Sequence, residues 1–255
     1  MHALYLVIII LMMTGLVTLI NNSTNNITAT NGSDLMYSKD TKPYGISFSE
    51  WMGKWWQWHV SLQNKVNEQN PSNLSLIHPR EAYSSEKCAW DQDNKNVWFL
   101  PDGRSLGPSE FTNPEKRKCT VTHDKALLVQ IYGGGCDYSK GLTTDKDLED
   151  CVNIGLDTVT FAAKVDGVEV MSSINRNDIL PNPYLYNITF TDNNLYDAPV
   201  GTYRAAANGY FLFLKPLSIG NHTIEFNEAY LKPGFEGQPS PENRLSNVVY
   251  DINVK

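Results

Sequence analysis

Several ingredients that would announce a function are missing from this sequence. Basic residues are scarce, with 21 Lys and Arg against 28 Asp and Glu and a formal net charge of −7. With no basic stripe to neutralise phosphates, the composition argues against nucleic acid as a partner. The one basic run, Lys116-Arg117-Lys118, reads as a solvated turn flank. No Gly-x-Ser-x-Gly occurs, and His59, His78, His123 and His222 stand in contexts that suggest no hydrolytic triad. The glycine run Tyr132–Gly135 lacks the Lys-Ser/Thr of a phosphate loop and reads as a tightly turned strand end. No two of the four cysteines (Cys88, Cys119, Cys136, Cys151) lie two to four residues apart, so zinc ligation has no spacing to support it.

What is present begins with a run free of charge, Ala3 to Ile20, dense in Leu, Ile, Val and Met. Its length lies between a secretory core and a spanning helix, and residues 1–20 are expected to be a signal peptide or, if uncleaved, an N-terminal anchor. Contact with a membrane is expected only there. Residues 21–41 form an Asn/Ser/Thr-rich tract too poor in apolar groups to offset its own ordering entropy, and read as a linker. Seven Asn-x-Ser/Thr sequons begin at Asn21, Asn22, Asn26, Asn31, Asn73, Asn187 and Asn221. Beside an export signal they suggest a glycoprotein at the cell surface or outside the cell. Four cysteines in an exported chain point to two disulfides, each contributing about 3–4 kcal/mol in the chain-entropy model. Three pairings are open, of which the sequential one closes the shortest loops.

Four of the six tryptophans fall between Trp51 and Trp58. At 100° per residue, Phe48, Trp51, Trp55, Trp58, Leu62 and Val66 fall on one stripe, widened by Met52, Trp56, His59 and Val60. Ser47 and Glu50 have capping-box spacing, and Glu50–Lys54 an i,i+4 pair. This is an amphipathic helix whose Trp51, Trp55 and Trp58 belong to a core, while Trp56 and His59 at the shoulder could face a cleft. Beyond a long polar connection the period changes to two. Strands are expected at Val97–Pro101, Cys119–His123, Ala126–Gly135, Thr158–Val170, Tyr186–Thr191, Tyr203–Leu217, Asn221–Leu231 and Leu245–Val254. Asp166-Gly167 and Asn208-Gly209 signal hairpin turns. The expected fold is mainly β: an antiparallel, jelly-roll-like β-sandwich over residues 42–255 with one N-terminal Trp-rich amphipathic helix packed on it.

In order, "YGISFSEWMGKWWQW", "VWFLPDG", "KCTVTHDKALLVQI", "NGYFLFLKPLSIGNHTIEF" and "VVYDINV" resemble an uncharacterised family of predicted exported bacterial and archaeal proteins. The likeness spans most of Lys42–Lys255. It implies an exported β-rich domain and no catalytic activity. The chain departs from that pattern between Gly133 and Asp157, where an extra Cys pair and an acidic run appear.

Trp56, His59, Trp90 and Trp98 are the candidate ligand-binding residues. Cofactors are expected to be absent apart from a structural calcium at Asp91, Asp93 and Asn94, with the loop Asp192–Asp197 a weaker second offer of oxygen ligands. The expected function is that of a non-catalytic cell-surface or envelope module, with glycans or envelope proteins as partners. The alternative is an extracellular polysaccharide-acting enzyme, a glycoside hydrolase or lyase using two of Glu50, Asp91, Asp93, Asp102 and Glu110.

Overall fold

Hydrophobic alternation and turn chemistry produce two sheets and a helix. The computed structural model describes residues 32–69, 88–103, 113–192, 194, 196, 198–230 and 244–255. The expected signal or anchor, the sequons at Asn21, Asn22, Asn26, Asn31 and Asn73, and Glu110 lie outside these residues. Residues 31–255 form one compact unit. A four-stranded sheet has the order β1 (Val97–Leu100), β3 (Ala126–Asp137), β7 (Gly201–Leu214), β6 (Tyr184–Phe190). The five-stranded sheet has the order β2 (Glu115–Val121), β9 (Arg244–Val254), β8 (Gly220–Tyr230), β4 (Thr160–Val165), β5 (Val168–Ser172). Pairing is antiparallel except at one edge of each sheet, where β1 runs parallel to β3 and β2 parallel to β9. The two sheets face each other as a sandwich. Helix α1 (Phe48–Gln69) lies on the outer face of the four-stranded sheet. Short helices α2 (Asp145–Val152) and α3 (Arg176–Ile179) cover connections.

That layering explains the burial patterns. The five-stranded sheet is covered on one face, so β2 and β8 alternate buried and exposed residues. Strands β3 and β7 are sandwiched between α1 and the second sheet, and both contain continuous buried runs, Ala126–Tyr132 and Ala205–Leu214. A strand covered on both faces has no polar side to show. The α1 stripe is core as expected: Trp51, Trp55 and Trp58 are at most 5% exposed. Ser47 Oγ accepts from the Glu50 N–H at 3.1 Å, and Glu50 pairs with Lys54 at 3.6 Å. Disulfides join Cys88 to Cys119 and Cys136 to Cys151, the sequential pairing.

Four expectations are corrected. The Asp166-Gly167 hairpin is present between β4 and β5, with φ of 50° and 79°, but Asn208-Gly209 makes no turn. It lies inside β7, where Gly209 has φ 151° and a Cβ would strike the Tyr132 carbonyl oxygen, while one on Gly133 would strike that of Asn208. The glycines here serve close strand approach, which a turn signal read from local sequence cannot distinguish. For the same reason Gly133–Gly135 continue β3 and are no strand end. Lys116-Arg117-Lys118 is no solvated flank: it lies in β2, and Arg117 is 2% exposed. Residues 32–41, expected as linker, are built onto the domain. Met36 bridges Leu214, Tyr37 N–H donates to the Phe213 carbonyl and Lys215 N–H to that of Leu35, both at 2.9 Å.

Candidate functional site

Trp55 and Trp56 are neighbours in sequence with opposite fates. Trp55 is fully buried and donates its Nε1–H to the Leu100 carbonyl at 2.9 Å. Trp51 and Trp58 likewise donate to the carbonyls of Pro43 and Trp90, at 2.9 and 3.2 Å. One residue on, the 100° step carries Trp56 to the side of α1 that meets β6 and the end of β3. Its ring lies edge to face against Trp55, with centroids 5.4 Å apart. Gly135 fits beneath it, since a Cβ there would come within 3.0 Å of the indole. Trp56 Nε1 is buried with no hydrogen-bond partner.

A second unpartnered donor is beside it. Tyr186, from β6, lines the same small cleft as Trp56, Gly135, Cys136, Asp137 and Tyr196, and its hydroxyl is buried with no hydrogen-bond partner. Burial, followed by the nearby Tyr196 and Asp137, pushes the Tyr186 hydroxyl well above its ordinary pKa. It is therefore a fixed proton donor at physiological pH. The cleft encloses about 30 Å3, room for a water-sized polar group. An aromatic-walled cleft with two buried, unpartnered donors among its lining residues suits an acceptor such as a hydroxyl or a carbonyl oxygen.

Its walls are well anchored. Asn194 ties the loop that presents Tyr196, donating to the carbonyls of Thr191 (3.0 Å) and Ala198 (2.7 Å) and accepting from Tyr196 N–H (3.2 Å). On the other side Cys136–Cys151 fastens α2 to β3. A capping box between Thr144 and Asp147 starts α2, Leu148 and Val152 pack on Ala206, and Asp145 pairs with Arg204 at 2.9 Å. The segment between Gly133 and Asp157 thus frames the one α1 tryptophan whose N–H has no partner.

The other expected ligand-binding residues are elsewhere. His59 does not face a cleft but is 3% exposed, stacked on Trp55 at 4.7 Å. Burial lowers its pKa, partly offset by Asp102, whose carboxylate lies 4.0 Å away. Trp98 is buried on the inter-sheet side, donates to the Cys88 carbonyl at 3.0 Å and has Lys125 Nζ over its ring at 5.3 Å. Half-buried Trp90 packs on the α1 cluster. The four-stranded sheet separates Trp98 from Trp56, so these two candidates do not share a site.

In the expected calcium loop, Asn94 Oδ1 accepts from the N–H groups of Asn96 and Val97, at 2.9 and 3.0 Å, which makes it a turn residue. Lys125 Nζ donates to the Asn94 carbonyl at 2.8 Å. Asp91 has φ 52° and, with Asp93, belongs to the same connection. Among the described residues no group of three His, Cys, Asp or Glu converges as metal ligands. Nor do Glu50 and Asp102 form a carboxylate pair. Glu50 starts α1 and Asp102 lies against His59, nine residues on. That is about 13 Å of helix axis, more than either glycosidase geometry uses.

Sequence reasoning singled out Trp56 but missed Tyr186, Tyr196 and Asp137. Period-two alternation puts Tyr186 and Ile188 on one face of β6, yet nothing local says that α1 meets that face.

Fold and site together define a disulfide-closed β-sandwich whose outer sheet is roofed by a Trp-rich helix. Two disulfides of this kind suit an oxidising environment. No family model matches the chain, and the search of curated proteins returns no match. Among solved structures, the cysteine protease inhibitor EhICP2 from Entamoeba histolytica is 12% identical with a TM-score of 0.19, covering 61% of this chain and 97% of its own. Amebosin is 10% identical with a TM-score of 0.17, covering 56% of this chain and all of its own. Likenesses this slight carry no argument about fold or function.

Proposed function

We propose that this protein is an exported cell-surface or envelope module that binds rather than catalyses, with glycans or a neighbouring envelope protein as its partner. One observation carries the reading: the tryptophans of α1 are committed to the core through their indole N–H groups except Trp56, which lines a small cleft with Tyr186, and neither Trp56 Nε1 nor Tyr186 Oη has a hydrogen-bond partner. Export is supported by the apolar N-terminal run and the two disulfides. Asn187 and Asn221, the two sequons in described strands, are exposed and accessible to glycosylation. Residues 21–31 would then serve as the sugar-coated start of a tether.

The test is tryptophan fluorescence of the oxidised protein, titrated with a panel of soluble polysaccharides and assayed in parallel for new reducing ends. A saturable shift that Trp56→Phe and Tyr186→Phe each weaken supports glycan binding at this cleft. New reducing ends would replace the reading with a polysaccharide-acting enzyme. A spectrum no polysaccharide perturbs would remove glycans and leave protein partners.

A further inference from the structure

The five-stranded sheet carries a polar grid on its outer face. Lys118 and Thr120 come from β2, Asp251 and Asn253 from β9, and Asn221 and Thr223 from β8. Cys119 and Ile252, which alternate with them in the chain, face the core. The six are in register. Thr120 pairs with Asn253 and Asn253 with Asn221, while Lys118 pairs with Asp251 and Asp251 with Thr223. At the spacing of strands and of alternate residues, the two rows span about 10 by 7 Å.

All six line a cavity of about 570 Å3, together with Ala89 beside the Cys88–Cys119 bridge. That volume is within the range of ligand sites. The described residues around it include no Trp, Tyr or Phe on which a free sugar could stack. Its groups are hydroxyl, carboxamide and carboxylate, which exchange hydrogen bonds with a polyol in either direction.

One member of the grid begins a sequon, Asn221-His222-Thr223. Asn221 is exposed, and its Oδ1 accepts from Asn253 Nδ2 at 2.7 Å. That bond turns the carboxamide oxygen toward β9 and uses no hydrogen of Nδ2, the atom an N-linked glycan joins. Once glycosylated the side chain is a secondary amide, which stays trans. The first sugar carbon then lies on the same side of the C–N bond as Oδ1. An oxygen held toward β9 therefore leans the first sugar toward Asn253 and Asp251.

We propose that Asn221 carries an N-linked glycan whose first sugars fold back into this cavity and are held by Thr120, Asp251 and Asn253. This rests on the reading of the chain as exported, the route on which such sequons are modified. The covalent link supplies what the grid lacks in stacking surface. A tethered sugar is present at millimolar effective concentration, so contacts too weak to capture a free one suffice. Asn187, exposed on β6 at the end of the other sheet, provides an internal comparison.

The experiment sends the full chain, with its own N-terminal run, through a eukaryotic secretory host and maps sequon occupancy by peptide mass spectrometry. The folded glycoprotein is then digested with an endoglycosidase that cuts between the first two sugars. The Asn221 glycan should be released about tenfold more slowly than the Asn187 glycan, and than the same glycan on the reduced, unfolded chain, as expected where one or two hydrogen bonds must open first. Thr120→Ala with Asp251→Ala, both exposed, should abolish that protection and leave occupancy unchanged. Unfolding midpoints of the deglycosylated proteins show that the variant is folded. Equal rates in the parent chain, or protection that the double variant keeps, would overturn the proposal and leave the export reading standing. So would a chain glycosylated at Asn187 but not at Asn221. A chain with no glycan at any sequon would overturn both.

Discussion

The four-stranded sheet is packed on both faces, and the two interfaces are built differently. Against α1 it meets Phe48, Trp51, Met52, Trp55 and Trp58 with Phe99, Phe211 and Phe213, a layer dominated by rings. Against the second sheet it meets Val121, Val165, Ile224, Ile252 and Val254, a layer dominated by aliphatic chains. Neither interface has backbone pairing across it, so each needs directional side-chain ties to fix its register. Under the helix these are neutral indole N–H groups donated to carbonyls of neighbouring segments. Between the sheets the tie is a buried cation. Arg117 in β2 donates to the carbonyls of Pro101 (3.2 Å) and Asp102 (2.8 Å) just past β1, to Tyr250 Oη (2.7 Å) and to Glu115 (2.9 Å). Burial works against its charge, but Tyr250 and Glu115 more than compensate and hold the guanidinium protonated. A neutral donor costs little to desolvate, whereas a buried ion is tolerated only while all its partners remain.

Truncating the centre of the ring layer tests that contrast most severely. Trp55→Ala should destabilise by about 5 kcal/mol, the top of the range for aromatic deletions, because it opens a large cavity and orphans the Leu100 carbonyl. Urea unfolding followed by circular dichroism measures it. Arg117→Ala should cost about 3 kcal/mol by leaving the partly buried Glu115 without its cation, and the double variant Arg117→Met/Glu115→Gln should recover much of that loss. If Arg117→Met alone is as stable as the parent, the cation is not the tie between the sheets. Removing the Cys136–Cys151 bridge as a Cys→Ser pair should cost about 3 kcal/mol for a loop of this length, and should loosen the cleft around Trp56 without altering Trp55. Trp51→Phe, which keeps most of the packing and deletes one neutral hydrogen bond, should cost about 1 kcal/mol.

Protonation gives the subtlest effect, with opposite signs at two sites. Burial holds His59 below its ordinary 6.5, so its contribution is complete above that pH and is lost as acid forces a proton on it. His222 goes the other way. Partial burial opposes its charge, but Asp166 at 2.7 Å and the Ser218 carbonyl at 2.9 Å outweigh it and raise the pKa. Its stabilisation is complete below about 6.5 and is lost as pH rises through the raised value. His59→Gln should therefore flatten the acid limb of a stability–pH profile and His222→Gln the limb near and above neutrality. A profile on which neither substitution changes the slope would dismiss both assignments.

Much of this was written in local sequence. The 3.6 period of Phe48–Val60 announced a helix and named its buried face, because a helix can hide only one side. Period-two alternation in β2 and β8 and the Asp166-Gly167 pair announced strands and a hairpin, because one covered face and one tight turn leave local marks. The four cysteines left three pairings open, and only the fold brought Cys88 to Cys119 and Cys136 to Cys151.

What the sequence could not decide is where separate elements meet. Arg117 reads as a surface charge in any window of neighbours. It is interior because β9 brings Tyr250 opposite it and β1 ends over it. Asn208-Gly209 reads as a turn until β3 is laid beside it. Trp56 stood out from its neighbours by helix geometry alone, but its partner Tyr186 comes from a strand 130 residues away. Periodicity reports which side of an element is apolar, and so determined the helix, most strands and the core. Which polar group meets which is a property of long-range packing, and the cleft at Trp56 exists only at that level.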